Sequence, residues 1–305
     1  MIATVLALVP IGLLLAFGYA LQRLGLPGTA FWPLLDRVVY LVLLPALLFT
    51  SALEADLGQT QALPMALTTV AALVVTTTAL VIARRLVTTD GAAMSSVVQG
   101  AARVNVYAGF AVAGAVFGDQ GVALFALVVA LAIPVDNIIS VLALHYFAVP
   151  VRSSWRTSLR SIALNPLLLS LAAGYAMRGA SLTLPGPLLD ALQLLAEATL
   201  PLALLAVGAG IRFDIAGASR RPLAIAVLTR QVMLPIIALG LCQVAGVGGT
   251  ERAVVMLHAA LPTGPAAYAF ARQLGGDAPL MAAIITATTL LAAVSVPFWL
   301  ALVLP

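Results

Sequence analysis

Pro10, Gly18-Tyr19-Ala20 and Leu44-Pro45 return 156 residues later as Pro166, Gly174-Tyr175-Ala176 and Leu200-Pro201. Gly118-Asp119 returns 158 residues later as Gly276-Asp277. Helix breakers repeated at a fixed offset divide a chain into two homologous halves. Here they fall within apolar runs long enough to cross a bilayer. Proline and glycine at matching places in two apolar halves point to interrupted helices and to a substrate site between the repeats. The pattern is the one expected of a secondary transporter.

Composition supports the bilayer as solvent. Hydrophobic residues make up 63% of the chain, charged residues only 9%, and mean hydropathy is +1.13. A soluble domain is about 45–50% apolar and about 25% charged, so this chain could not cover its apolar surface in water. The single Cys242 lies in an apolar run, which excludes a disulfide framework and a thiol metal cluster. All fifteen basic residues are Arg. A pI near 9.7 would suggest nucleic acid for a soluble protein. Here the charge sits in short loops and reads instead as membrane orientation, so no nucleic-acid partner is expected.

A spanning helix needs about 20 mostly apolar residues. Ten such spans are predicted, over 2–22, 34–53, 62–83, 92–117, 121–147, 160–178, 187–211, 222–245, 252–274 and 279–303. The first lacks a basic leader and shares its breakers with the second half, so it reads as a helix and not as a signal peptide. Eleven Arg fall on the side of the loops after odd-numbered spans and two, Arg178 and Arg252, on the side of the termini. The Arg-rich side faces the cytoplasm. The expectation is a multi-pass protein of the cell inner (plasma) membrane with both termini outside. Five spans per half is an odd number, so residues 1–150 and 151–305 form two inverted five-helix repeats. The basic stretch Val151 to Arg160 joins them on the cytoplasmic side.

The fourth span of each half is the least regular. Span 4 carries Arg103, Asn105, Tyr107 and Gly109, and span 9 carries His258 followed by Pro262-Thr263-Gly264-Pro265. Two prolines in four residues remove two amide donors and open the helix there. Asn105 and Thr263 stand at related positions. Two spans broken there would meet near the midplane, where half-helix N-termini attract an anion.

Ala260-Leu261-Pro262-Thr263-Gly264 with Phe270-Ala271-Arg272, and Leu43-Leu44-Pro45-Ala46-Leu47-Leu48-Phe49, resemble the auxin efflux carrier family. So do Asn105, Asn137, Asn165-Pro166 and Arg230 with Pro235. The family includes plant PIN carriers and bacterial malonate and malate permease-like proteins, and the likeness runs the length of the chain. It implies an all-α fold related to bile-acid symporters and sodium/proton antiporters, with a scaffold and a transport part interleaved across both repeats. It also implies crossed, broken helices 4 and 9 at the site. The cargo implied is a small organic carboxylate, with Asn105 binding it and Pro262 at the crossover. The long cytoplasmic loop of many PIN carriers is absent.

Four charges are predicted deep in the spans: Arg103, Asp136, Glu197 and Arg230. A charge there costs about 2.5–3.5 kcal/mol on insertion scales, so Arg–carboxylate pairing is expected, either structural or opened by substrate. Arg103 or Arg230 suits a carboxylate because the guanidinium fork is bidentate. Backbone amides around Thr263 and Gly264, with the Tyr107 hydroxyl, complete the expected substrate site. Asp136-Asn137 is similar to the acidic pair of sodium/proton antiporters. Together with Glu197 and His258 it forms the candidate set for a coupling proton or sodium ion. No cofactor or resident metal is expected.

The leading expectation is therefore a secondary transporter of small organic anions working by alternating access. A cation/proton antiporter using Asp136, or a membrane sensor without flux, are the alternatives. Phosphate loops, metal-ligand spacings and nucleophile triads are not found, so nothing supports an enzyme. The expected partners are a small organic anion and the lipid bilayer; a homodimer is left open.

Overall fold

The structure, a computed structural model, describes residues 2–54, 61–148, 164–211 and 219–304. The basic connection Val151 to Arg160, the first residues of predicted span 6, and Arg212 lie outside the described residues. Among those described, all regular structure is helical except one antiparallel bridge between Val104 and Thr263.

In chain order the helices are α1 (Ile2–Arg23), α2 (Phe31–Glu54), α3 (Ala62–Ile82), the single turn α4 (Arg84–Val87), α5 (Gly91–Ala102) and α6 (Val106–Ala148). They continue with α7 (Pro166–Gly179), α8 (Gly186–Ala209), α9 (Arg220–Ala245), α10 (Gly249–Ala260), α11 (Ala266–Leu274) and α12 (Ala278–Ala301). Six of them, α2, α3, α6, α8, α9 and α12, are long and apolar enough to cross a membrane as continuous helices. Predicted spans 4 and 9 fall short because each is cut in two, at 103–105 and 261–265. Predicted span 6 has 14 described helical residues. Large apolar side chains stand exposed around the outside, among them Leu13, Ile82, Val244 and Val294. In water such a surface would aggregate; in lipid it is solvated.

Breakers shape the long helices. Gly118 (φ 62°, ψ −153°) splits α6 into two arms, a left-handed backbone that glycine adopts without a Cβ penalty. The arms fold back on each other, since Phe110 meets Phe125 edge-on with ring centroids 5.0 Å apart. In α2 and α9 a π-helical turn, Val39–Leu43 and Thr229–Met233, directly precedes Leu44-Pro45 and Leu234-Pro235. Proline cannot donate to the carbonyl four residues back, and a wider turn accommodates it. The Gln231 carbonyl left over before Pro235 accepts from the Trp299 indole at 2.9 Å.

Glycine also sets the closest helix contacts. A Cβ on Gly18 of α1 would lie 2.1 Å from the Leu205 carbonyl oxygen of α8, and one on Gly174 of α7 would lie 2.6 Å from that of Phe49 in α2. Gly18 and Gly174 are repeat mates, and so are Phe49 and Leu205, so one contact is made twice at the offset read in the sequence. The mates Leu43 and Thr199 touch each other directly, the Thr199 hydroxyl donating to the Leu43 carbonyl at 2.9 Å. Small residues let membrane helices approach this closely. Gly18→Ala should therefore force α1 from α8 at a cost of about 1–3 kcal/mol, the range for overpacking a tight contact. A thermal melt in detergent measures it, with Gly12→Ala as control, because a Cβ on Gly12 meets nothing within 4 Å. Equal melting of the two variants would refute the close contact.

Candidate functional site at the helix crossover

Both interruptions expected from the sequence are present, and they pair with each other. Arg103 and Val104 follow α5 in extended conformation, and Asn105 then caps α6 by accepting from the Ala108 amide at 3.2 Å. On the other side Leu261 ends α10, and Pro262 to Pro265 lead into α11. The Asn105 amide donates to the Pro262 carbonyl at 2.9 Å, and the Gly264 amide to the Arg103 carbonyl at 3.2 Å. These two bonds form the Val104–Thr263 bridge. Gly264 has to be glycine for this approach: a Cβ would lie 2.4 Å from the Val104 oxygen.

Four helix ends converge here with ordered polarity. α5 and α10 end at the crossover, and α6 and α11 begin there. The N-terminal residues Val106, Tyr107 and Ala266 line a cavity of about 480 Å³. Helix N-termini carry outward-pointing amides and roughly half a positive charge. Arg103, Asn105, Asp136, Asn137, Gly264 and Phe270 face the same cavity. The Arg103 guanidinium is held by the Ser140 hydroxyl at 2.9 Å and the Asn137 carbonyl oxygen at 2.6 Å, and it stacks 3.8 Å from the centre of the Phe270 ring. Asn105 Nδ2 and Asp136 Oδ1 are buried without a hydrogen-bond partner. Buried polar atoms of that kind call for a ligand, ion or water.

The geometry redraws several expectations. The amides of Thr263 and Gly264 are not available to an anion, because Thr263 donates to the Thr288 hydroxyl at 3.1 Å and Gly264 to Arg103. Thr263 is fully buried, its hydroxyl bonded to the Gly100 carbonyl at 2.7 Å, so it and Pro262 build the crossover and do not line the cavity. Arg230 is also behind the cavity, with every hydrogen bond of its guanidinium going to backbone carbonyls. The expected Arg–carboxylate neutralisation is thus replaced by neutral acceptors on both Arg103 and Arg230. Asp136 nonetheless lies within Coulombic reach of both. His258 is buried, with its ring 6.3 Å from that of Phe125 and Nε2 unpartnered.

Glu197 is exposed and away from the crossover. It lines a second pocket of about 980 Å³ with Glu54, Asp119 and Gln193. α2 spans both pockets. Its Asp36 and Tyr40 face the crossover cavity and its Thr50 and Glu54 the acidic one, about 20 Å apart along the helix at 1.5 Å per residue. The two pockets therefore open near opposite ends of α2. Asp36, Tyr40 and the α7 cap Asn165 were missed as cavity residues. Asp36 is an acid at the start of an apolar span and could have been suspected; Tyr40 carries no signal in the sequence. The Tyr107 hydroxyl interacts with the Asp36 carboxylate.

An all-helical, lipid-facing chain with a polar cavity at the meeting of two broken helices defines a multi-pass membrane transporter. The family comparison agrees: residues 148–300 match the model of the membrane transport protein family, and the chain belongs to that family. It is also 25% identical over 291 residues to an "uncharacterized transporter" of Methanothermobacter thermautotrophicus, across 94% of each chain.

Proposed function

We propose that this protein carries small organic anions across the inner (plasma) membrane by alternating access at the crossover. The observation that carries the reading is the cavity itself. It joins a guanidinium, two helix N-termini and an amide donor, Asn105 Nδ2, that has no acceptor. A carboxylate taken into a membrane interior needs such replacements for water. The remaining N–H groups of Arg103 supply charge, and Phe270 holds the guanidinium plane in place. The crossover cavity itself provides the approach from one side. Two inverted five-helix repeats, supported by contacts that recur at the repeat offset, would rock or slide to expose the site alternately.

Asp136 supports a coupled version. A carboxylate with an unpartnered buried oxygen beside Asn137 can take a proton or a sodium ion as the anion binds. The same atom favours a second reading, cation/proton antiport without organic cargo. Uptake of labelled mono- and dicarboxylates into proteoliposomes, with and without sodium and pH gradients, separates them. Anion uptake is the expected result. Cation-driven proton release with no anion uptake would replace the first reading by the second.

The proposed orientation follows from the Arg asymmetry. A C-terminal reporter active only in the cytoplasm should be silent. Full activity would overturn that orientation.

A further inference from the structure

Arg230 is the largest fully buried side chain among the described residues. It comes from the π-helical turn before Pro235 and reaches both broken helices at once. Nη1 donates to the carbonyls of Ala101 and Ala102 at 3.1 and 3.3 Å, Nη2 to that of His258 at 2.9 Å, and Nε to that of Leu261 at 2.7 Å. The first pair closes the last turn of α5, and the second closes the last turn of α10. Without them a helix C-terminus leaves four carbonyls without partners. For α5 the account is complete. Gln99 accepts from the Arg103 amide and Gly100 from the Thr263 hydroxyl, and Arg230 takes Ala101 and Ala102.

Each C-terminus also carries roughly half a negative charge. Two of them converge on one point inside the membrane, where such charge is poorly screened. The guanidinium of Arg230 supplies positive charge at hydrogen-bond distance from both ends, while Asp136 reaches it only through its Coulombic field. A hydrogen-bonded neutral side chain would satisfy the carbonyls and leave the charge.

We infer that Arg230 is a tethered counter-cation: it occupies, as part of the chain, a carbonyl-lined cation site between the C-termini of α5 and α10. The crossover then divides by sign. The N-termini of α6 and α11 face the cavity and attract an anion, while the C-termini of α5 and α10 face Arg230. The division also explains why Arg230 does not line the crossover cavity. Its charge is committed to the helix ends, and no diffusible cation is needed between them. Arg230 thus acts on any transported solute only by holding the crossover.

The test is made on the purified full chain by thermal unfolding, so it needs no knowledge of the transported solute and stands apart from the proposed function. Arg230→Ala vacates the site. Its lowered melting temperature should rise on adding millimolar guanidinium chloride and saturate as mass action requires. Tetramethylammonium chloride at equal ionic strength, too bulky to fit among the carbonyls, should not raise it. Wild type should show no such rise. The pair Arg230→Lys and Arg230→Gln separates charge from hydrogen bonding, and serves if Arg230→Ala fails to fold. The Lys variant, with charge but a poorer donor fork, should melt above the Gln variant. Gln melting at or above Lys would overturn the inference and reduce Arg230 to a neutral hydrogen-bonding strut. So would Arg230→Ala showing no selective response to guanidinium.

Discussion

Gly264→Ala should abolish transport while Gly240→Ala leaves it intact. The added methyl at residue 264 would sit 2.4 Å from the Val104 carbonyl oxygen and 3.0 Å from its carbon, whereas at residue 240 it meets nothing within 4 Å. The atoms in the way belong to the backbone, so no rotamer change relieves the clash. The two extended segments must separate, and the separation breaks the Asn105–Pro262 and Gly264–Arg103 bonds together. Each leaves buried groups without partners, at about 1–3 kcal/mol apiece. The N-terminus of α11 would also shift relative to Arg103 and Asn105, which spoils the cavity even in molecules that fold. Uptake assays and melting temperatures on both variants measure the effect. A Gly264→Ala protein with wild-type uptake would show that the bridged crossover is not required for function.

Asn105→Asp should weaken anion binding by roughly 10- to 100-fold, the range for losing a hydrogen bond to a charged group at about 1.5–3 kcal/mol. The melting temperature should fall as well, because the new carboxylate is buried beside Asp136. The structure explains why Asp is the informative replacement. Asn105 has two jobs: Oδ1 caps α6 through the Ala108 amide, and Nδ2 is buried with no partner. Asp keeps the capping oxygen, replaces the donor by an acceptor, and adds a buried negative charge that repels an anion, so both changes weaken anion binding. Asn105→Ala removes both, and loss of the cap costs about 1 kcal/mol by itself, which would blur the reading. Ligand affinity by calorimetry, with a thermal melt as the folding control, decides the matter. A folded Asn105→Asp protein that binds an organic anion as tightly as wild type would take the anion site away from the crossover.

Much of the crossover is legible in the residues because it is a local property. Single prolines such as Pro10, Pro201 and Pro297 stay inside continuous helices. Pro262 and Pro265, two within four residues, remove two amide donors from adjacent turns and open the helix, and Asn105 is a strong capping residue at any helix start. The apolar runs and the scarcity of charge likewise dictate a bilayer solvent, whatever the packing. The repeat of Gly18 at Gly174 anticipates two equivalent close contacts. It could not say that their partners would be the carbonyls of Leu205 and Phe49, which are themselves repeat mates.

What a buried charge faces is not a local property. Arg103, Arg230 and Glu197 look alike in the sequence, each an ionisable residue inside an apolar run. Tertiary packing sends Arg103 to the cavity, Arg230 to four carbonyls on two helices, and Glu197 to a separate exposed pocket. The amides of Thr263 and Gly264 are freed by the prolines, but Thr288 and Arg103 take them up from distant parts of the chain. Asp36 and Tyr40 join the site only because α2 runs past it. Periodicity, capping and helix breaking depend on neighbours within a few residues, so they are settled along the chain. Pairing of buried polar groups depends on which helices converge, and only the folded arrangement decides it.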